Sequence, residues 1–145
     1  MLATFVQEQA EVPIMLAAQM TGLDPLIIRK LVRDGVIRGM APYRVPEVVG
    51  WCDINQAREV AVRLIAARDG VEGNKILVAD AMKKYKFSSK GMYSWIQNGW
   101  ISKAGFAQNG DLLINEGDVA FARCLADLTN HRQAKALFPS KRNKK

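Results

Sequence analysis

The chain has 145 residues and a formal net charge of +7, and 49% of its residues are hydrophobic. This length and composition suit one globular domain or two small ones. No apolar run approaches the roughly 20 residues that a membrane-spanning helix needs, and residues 1–10 lack the basic segment that opens a secretion signal. We therefore expect a cytoplasmic protein with no membrane partner.

The positive charge is concentrated in the second half of the chain. Residues 1–74 carry 8 Lys and Arg against 9 Asp and Glu, a net charge of −1, whereas residues 75–145 carry 13 against 5, a net charge of +8. Affinity for DNA rises with the number of phosphates that a protein neutralises. The asymmetry favours the second half as the contact with a nucleic acid, although a solvated lysine face could also serve solubility alone.

Few residues offer catalytic or metal-binding chemistry. Cys52 and Cys124 are far apart in the sequence, and neither belongs to a CxxC motif or lies near the single histidine, His131. Both are expected to be small buried hydrophobic side chains, since a metal would lack ligands. The chain also has no phosphate-binding loop and no dinucleotide fingerprint. We expect neither an enzyme nor a cofactor.

One sequence pattern occurs twice, at residues 16–37 and 78–101. Each copy has an Ala-containing turn of helix, a short turn, an N-cap residue, a second helix with an apolar stripe, and a final glycine in the left-handed position that ends a helix. The residues that start and stop the second helix of the two copies are Asp24 and Gly35, and Ser88 and Gly99. A short extended stretch is expected directly after each of these glycines.

The two copies differ by a small shift in spacing. When Ala18 is set against Ala81, the second copy takes one more position to reach Gly99 than the first takes to reach Gly35. The sequence therefore predicts one additional residue in the turn of the second copy. A packed helix pair tolerates such a change when it is confined to a turn.

This pattern resembles the winged helix-turn-helix of the MerR and phage excisionase superfamily, over about residues 13–52 and 75–125. In that family the glycine is followed by a small β wing and a third helix. Residues 38–51 and 102–122 are similar to that continuation, and Asn109-Gly110 is a hairpin-turn signal. The resemblance implies a mainly α fold with small β wings, arranged as two tandem winged helix-turn-helix lobes that bind double-stranded DNA.

The lobes are expected at residues 1–70 and 71–138, followed by a basic disordered tail at 139–145. An amphipathic helix at residues 54–70 connects the copies and ends at Gly70. A final helix over about residues 116–138 should close the second lobe, and its end at Leu137-Phe138 is predicted to contact a partner chain.

In the second lobe, polar residues on the outer face of the second helix are candidates for the major groove, and surrounding lysines are candidates for phosphates. The groove candidates are Ser89, Lys90, Tyr93, Ser94 and Gln97. The phosphate candidates are Lys83, Lys84, Lys86 and Lys103. Asn109, in the turn at residues 108–110, is expected along the backbone or in the minor groove.

The first lobe offers fewer such residues. Its candidates for DNA contact are Arg29, Lys30 and Arg33, with Arg38 and Arg44 flanking its wing. The outer face of its second helix begins with Leu26 and Ile27, which could touch thymine methyl groups or form a patch for a protein. The basic pair that the family carries early in this helix is missing.

The function predicted from these features is site-specific binding of double-stranded DNA, as a transcriptional regulator or an excisionase-like recombination factor of a phage or mobile element. A homodimer or a cooperative assembly on DNA, and an integrase or RNA polymerase as a protein partner, are open alternatives. A tandem chain could reach two grooves as a monomer. The competing hypothesis is a protein-interaction adaptor that retains the lobes as scaffold and binds DNA weakly.

Overall fold

The order of helices and strands is the same in both halves of the chain. The computed structural model describes residues 10–42, 49–129 and 137–139. The elements of the first half are β1 (Glu11–Pro13), α1 (Ile14–Thr21), α2 (Pro25–Arg33), β2 (Gly39–Met40), β3 (Trp51–Asp53) and α3 (Ile54–Asp69). Those of the second half are β4 (Lys75–Leu77), α4 (Val78–Tyr85), α5 (Ser89–Gln97), β5 (Lys103–Phe106), β6 (Leu112–Asn115) and α6 (Glu116–Thr129).

The chain divides into two compact units, Met1–Arg63 and Leu64–Lys145. The division falls inside α3, whereas the sequence places the end of the first lobe at Gly70. The amphipathic helix predicted between the two copies is present, and it ends at Asp69, directly before that glycine.

Each half holds one small three-stranded antiparallel sheet. The strand orders are β1-β3-β2 and β4-β6-β5, so the last strand lies in the centre of each sheet. Val12 lies opposite Cys52 in the first sheet, and Ile76 lies opposite Ile114 in the second. Cys52 and Ile114 are fully buried, so each central strand contributes its middle side chain to the core. The protein is therefore a mixed α/β chain.

The first strand of each sheet was not predicted from the sequence. β1 and β4 come before the helix pair and are three residues long, which is too short for the two-residue alternation of a strand to stand out. The extended stretches expected directly after Gly35 and Gly99 are wrong in their placement. The chain first turns there, burying Ile37 and Ile101, and the strands begin later, at β2 and β5.

The local signals that start and stop the second helix of each pair are confirmed. Asp24 Oδ1 accepts a hydrogen bond from the backbone N–H of Leu26 at 2.8 Å, and Ser88 Oγ accepts one from the N–H of Gly91 at 3.2 Å. Both bonds satisfy amides that the first helical turn leaves without a partner. Gly35 and Gly99 have φ values of 81° and 85°, the left-handed conformation that glycine adopts without strain.

The predicted additional residue in the second turn is wrong. Ile14 and Val78 start the first helix of each pair, Pro25 and Ser89 start the second, and the spacing between the two helix starts is the same in both halves. The turns are therefore equal in length, and Ala17 is equivalent to Ala81. Both alanines are completely buried, whereas an alignment through Ala18 sets Ala81 against the wrong residue.

The two halves do differ in the length of the hairpin that follows the helix pair. The second hairpin is shorter than the first, so the equivalence between the halves shifts at that point and then stays constant from β3 and β6 onward. Equivalent core positions are buried in both halves. In the first half they are Ile14, Ala17, Ile28, Leu31, Ile37, Cys52 and Ala57. In the second half they are Val78, Ala81, Met92, Trp95, Ile101, Ile114 and Val119.

The end of the chain corrects a further prediction. Leu137 and Phe138 are not helical, and they pack on the second unit itself instead of being left for a partner chain. Leu137 is fully buried, and the Phe138 ring stacks on that of Trp100, with centroids 4.9 Å apart. Phe138 also meets the edge of Trp95 at 5.4 Å. The predicted basic tail beyond Pro139 lies outside the described residues.

Among the residues that the structure describes, no helix is both long enough and apolar enough to cross a membrane.

Candidate nucleic-acid interface

The outer face of α5 carries the residues predicted to contact a major groove. Met92, Trp95 and Ile96 bury the inner face of this helix, and Trp95 meets the Phe87 ring edge-on at 4.8 Å. The five groove candidates share the opposite face and are all exposed; they are Ser89, Lys90, Tyr93, Ser94 and Gln97. The apolar spacing of the helix thus leaves one continuous polar surface, as the sequence predicts.

Most of the lysines around α5 are free of acidic partners within the described part of the chain. Lys83, Lys86, Lys90 and Lys103 are exposed, and none forms an ion pair with a described residue. Lys86 is also the C-cap of α4, where its φ of 61° places it in the left-handed region. The equivalent residue of the first unit is Gly22, with a φ of 80°.

Lys84 has a different environment from the other four lysines. Its Nζ lies 2.6 Å from Glu116 Oε2, and the Tyr85 hydroxyl donates to the same oxygen at 2.5 Å. The Glu116 side chain is only 6% exposed. Burial by itself would raise the pKa of Glu116, but the hydrogen bonds from Lys84 and Tyr85 outweigh it and hold that pKa below its ordinary value. Lys84 therefore holds α4 to the start of α6.

This buried carboxylate was not found from the sequence. Its equivalent in the first unit is Ile54, which is also buried and also follows the central strand. The sequence does contain a signal. The position of Glu116 is apolar in the first copy, where Ile54 occupies it, so the acidic residue stands where a core residue is expected. Without that comparison between the copies, a glutamate at the start of an apolar helix is interpreted as an ordinary residue of the first helical turn.

The β5–β6 hairpin confirms the turn predicted at Asn109-Gly110. Gly110 has a φ of 93°, and the Asn109 amide binds Asp111 twice, accepting from its backbone N–H at 3.0 Å and donating to its carboxylate at 3.1 Å. The Asn109 side chain therefore shapes the turn. One residue of this hairpin was missed, since Phe106 is 70% exposed although a phenylalanine is expected inside.

In the first unit, the candidate cations are bound to their own chain. Arg29 Nη2 donates to the carbonyl of Pro42 at 2.9 Å. Lys30 pairs with Asp34 at 3.0 Å, one helical turn later.

Arg38 lies between two carboxylates, with Nη1 3.1 Å from Glu11 and Nη2 3.2 Å from Asp53. Its hydrogen bonds to these two groups raise the pKa of the guanidinium. Arg33 is exposed on α2, and Arg44 lies outside the described residues. Lys30 and Arg38 thus have acidic partners, whereas Lys83, Lys86, Lys90 and Lys103 form no ion pair with a described residue.

The apolar surface predicted on the first unit lies on a different helix. Ile27 is 1% exposed and belongs to the core, so its assignment to the outer face of α2 is wrong; Leu26 is half-buried. Large exposed apolar side chains occur on α1 instead, namely Met15, Leu16 and Met20, at 48%, 42% and 43% exposure. The equivalent residues of α4, which are also exposed, are Ala79, Asp80 and Lys84.

The two cysteines differ in burial. Cys52 is fully buried, and burial together with the charge of Asp53 raises the pKa of its thiol. Cys124 is partly exposed, so it is less buried than predicted. No cluster of three or more residues that could hold a metal ion occurs among the described residues.

No protein-family model, no curated protein and no solved structure matches this chain.

Proposed function

We propose that the chain binds double-stranded DNA site-specifically through α5, as a transcriptional regulator or an excisionase-like recombination factor of a phage or mobile element. The observation that carries the proposal is the polar outer face of α5 with four exposed lysines around it and no ion pair to any of the four among the described residues. The repeated order of strands and helices supports the further proposal that each half is a winged helix-turn-helix lobe.

The dimensions of α5 suit a major groove. A helix with its side chains is about 10–12 Å across, and the groove is about 12 Å wide. The nine residues of α5 present about 13 Å of helix length to it. Lys90, Tyr93 and Gln97 follow one another at spacings of three and four residues, so they share one face over two turns. Lysine recognises the O6 and N7 acceptors of guanine, and glutamine can bind adenine through two hydrogen bonds. These side chains supply the chemistry for discrimination between bases.

The surrounding lysines supply the affinity that does not depend on sequence. Each lysine that neutralises a phosphate releases a counterion, so binding weakens as salt is added. Lys83, Lys86 and Lys103 are exposed lysines near α5 that can do so without first breaking an ion pair to a described residue. We propose that they position the unit on the backbone while α5 reads bases.

The α2 helix of the first unit has fewer side chains with which to recognise bases. Where α5 has Lys90, α2 has the half-buried Leu26, and where α5 has Tyr93, α2 has Arg29, which holds Pro42. DNA contact by Arg29, Lys30 or Arg38 would compete with bonds that these residues already form. We propose that the second unit provides most of the base discrimination.

The proposal is tested with the full-length chain. A preferred duplex is first selected from a random-sequence pool, and the affinity of Lys90→Ala/Tyr93→Ala for it is compared with that of the wild type. Two lost base contacts, each worth about 1–3 kcal/mol, should lower affinity at least tenfold and abolish the preference over random DNA. Unchanged thermal unfolding by circular dichroism would show that the fold is intact.

Arg58→Ala is the matched control, since it also removes one exposed positive charge, from α3. It should leave the site preference intact. Retained preference in Lys90→Ala/Tyr93→Ala, or an equal loss in Arg58→Ala, would refute the assignment of α5 as the reading helix.

The apolar face of α1 favours a second candidate function, that of a protein-interaction adaptor. Met15, Leu16 and Met20 are exposed together on one short helix, and methionine-rich surfaces adapt to protein partners. The first partner to test is a second copy of the chain. The two functions are compatible if the first unit pairs and the second reads DNA.

The equivalent residues of α4 offer a substitution set for this test. Met15→Ala/Leu16→Asp/Met20→Lys gives α1 the surface of α4 at three exposed positions, so the fold should be retained. Light scattering should show a dimer for the wild type and a monomer for the triple variant at the same concentration. A monomeric wild type, or a triple variant that still dimerises, would exclude self-association through this face.

A further inference from the structure

Phe106 is the most exposed of the large hydrophobic side chains that the structure describes, at 70%. It is the last residue of β5 and lies opposite Leu112 in the hairpin. Exposing a phenyl ring to water forgoes the favourable free energy that its burial would contribute. A ring kept at the surface of a hairpin, in the unit with the unpaired lysines, is a candidate for contact with a ligand.

The backbone around Phe106 sets where this ring stands. The register of β5 against β6 shifts between Lys103 and Gly105, and Gly105 has a φ of 116°. A Cβ at Gly105 would meet nothing within 4 Å, so a larger side chain would have room. Glycine is favoured at this position because of its backbone conformation. Such an irregularity bends a strand and changes the direction of the side chains that follow it.

The hairpin beyond Phe106 is well ordered by hydrogen bonds. The N–H of Ala107 donates to the carbonyl of Asp111 at 2.8 Å, and the N–H of Gly110 donates to the carbonyl of Ala107 at 2.9 Å. With the two bonds between Asn109 and Asp111, this fixes the turn directly after Phe106. The Phe106 ring is therefore carried by a hairpin that its hydrogen bonds make rigid. A side chain that inserts between stacked bases needs such a rigid backbone.

We infer that Phe106 is a wedge that enters between two base pairs from the minor groove and kinks the duplex. The inference rests on the proposed function, since α5 must dock for the hairpin to reach the DNA. Apolar side chains inserted in this way unstack one base step and bend DNA by about 20–90°. Lys103, which starts the same strand and is exposed, supplies a positive charge for the flanking phosphates.

The first unit has no exposed aromatic side chain at the described position that is equivalent to Phe106. Strand pairing makes Ala41 the residue equivalent to Phe106, because Met40 pairs with Trp51 as Gly105 pairs with Leu113, and Ala41 is half-buried. A kink made by Phe106 should lie at a fixed distance from the bases that α5 contacts.

The test measures the DNA bend with the full-length chain on the selected duplex, by energy transfer between dyes at its two ends, with every chain at saturation. The wild type should bend the DNA, and Phe106→Ala should reduce the bend to less than half while the site preference stays and affinity falls by no more than about tenfold. Phe106→Leu, which keeps an apolar wedge, should restore most of the bend. Val62→Ala removes another exposed apolar side chain and should leave the bend unchanged.

The outcomes separate this inference from the proposed function. A wild type that binds its site without bending it, or a Phe106→Ala variant that bends DNA as the wild type does, overturns the wedge and leaves DNA recognition by α5 intact. A wild type with no preferred duplex overturns both. Should Phe106→Ala leave DNA binding and bending unchanged but abolish binding of a protein, the ring serves a protein contact and the wedge is wrong.

Discussion

The two units have similar side chains at most equivalent core positions and different side chains at equivalent exposed positions. Leu31 and Trp95 occupy equivalent core positions and are both buried, whereas the equivalent exposed positions Met20 and Lys84 carry opposite chemistry. Core positions are constrained by the packing of the same helices and strands, since a buried polar group needs a partner. Exposed positions are free of that requirement. The comparison shows that the duplicated backbone by itself does not assign a function, and that the surface of each copy has to be examined separately.

The largest expected effect concerns the one aromatic core position on α5. Trp95→Ala should destabilise the second unit by about 3–5 kcal/mol, because it removes a buried indole and both of its edge-to-face neighbours, Phe87 and Phe138, lose their partner. Urea unfolding followed by circular dichroism measures this change.

Leu31→Ala is the matched substitution in the first unit, and it should cost about 2–5 kcal/mol there. If the two units unfold in separate steps, each substitution should shift only its own step. A loss below about 1 kcal/mol for Trp95→Ala would contradict the packing described for the second core.

The next effect concerns the buried carboxylate of Glu116, whose equivalent in the first unit is the apolar Ile54. The pKa of Glu116 is lower in the folded chain than its ordinary value of 4.5, so the folded state holds this proton less tightly than the unfolded chain does. The resulting stabilisation is present above that ordinary pKa and is lost as the pH falls through the lowered one. Glu116→Gln should cost about 1–3 kcal/mol at neutral pH, since hydrogen bonds to a charged group are lost.

Unfolding by urea at several pH values between about 7 and 3 measures this contribution. The difference in stability between wild type and Glu116→Gln should shrink as the solution becomes acidic. A difference that stays constant over this range would show that the charge of Glu116 does not stabilise the fold.

A smaller effect is expected where a lysine occupies a glycine-like backbone conformation. Lys86→Gly should stabilise the second unit by up to about 1 kcal/mol, because it relieves the left-handed strain that Gly22 avoids at the equivalent position. Thermal unfolding measures the gain. A Lys86→Ala variant controls for the charge and should show no such gain; if both variants are stabilised equally, the cause is electrostatic.

The smallest effect is on the salt dependence of DNA binding. Lys83→Ala should reduce the slope of log affinity against log salt by about 0.9, since one phosphate contact is lost. Lys30→Ala should leave the slope unchanged, because Lys30 is paired with Asp34. Titrations at several salt concentrations distinguish the two, and equal slopes for both variants would mean that the units do not differ in phosphate contact.

Local features of the fold were predictable from the sequence, and long-range ones were not. The caps at Asp24 and Ser88 and the turn at Gly110 depend on side chains within three residues of their partners. The strands β1 and β4 depend on pairing with strands that come much later in the chain, which no local pattern reveals. The position of Leu137 and Phe138 likewise depends on the tertiary core, so their helical periodicity was misleading.

The candidate interface was predictable to a similar degree. The exposed face of α5 follows from the spacing of its buried residues, and that prediction was made residue by residue. The pairing of Arg38 with Glu11 and Asp53 joins distant parts of the chain, and from the sequence alone Arg38 was predicted as a DNA contact. The Lys30–Asp34 pair has the four-residue spacing of a helical ion pair and could have been found.

The central proposal, that the second unit provides most of the base discrimination, is tested most directly by repeating the duplex selection with three full-length chains. These are the wild type, Lys90→Ala/Tyr93→Ala, and Leu26→Ala/Arg33→Ala, which alters the α2 positions equivalent to Lys90 and Gln97. We expect the wild type and the α2 variant to enrich the same sequence and the α5 variant to enrich none. Loss of half of a bipartite site in the α2 variant, or an unchanged site in the α5 variant, would contradict the account.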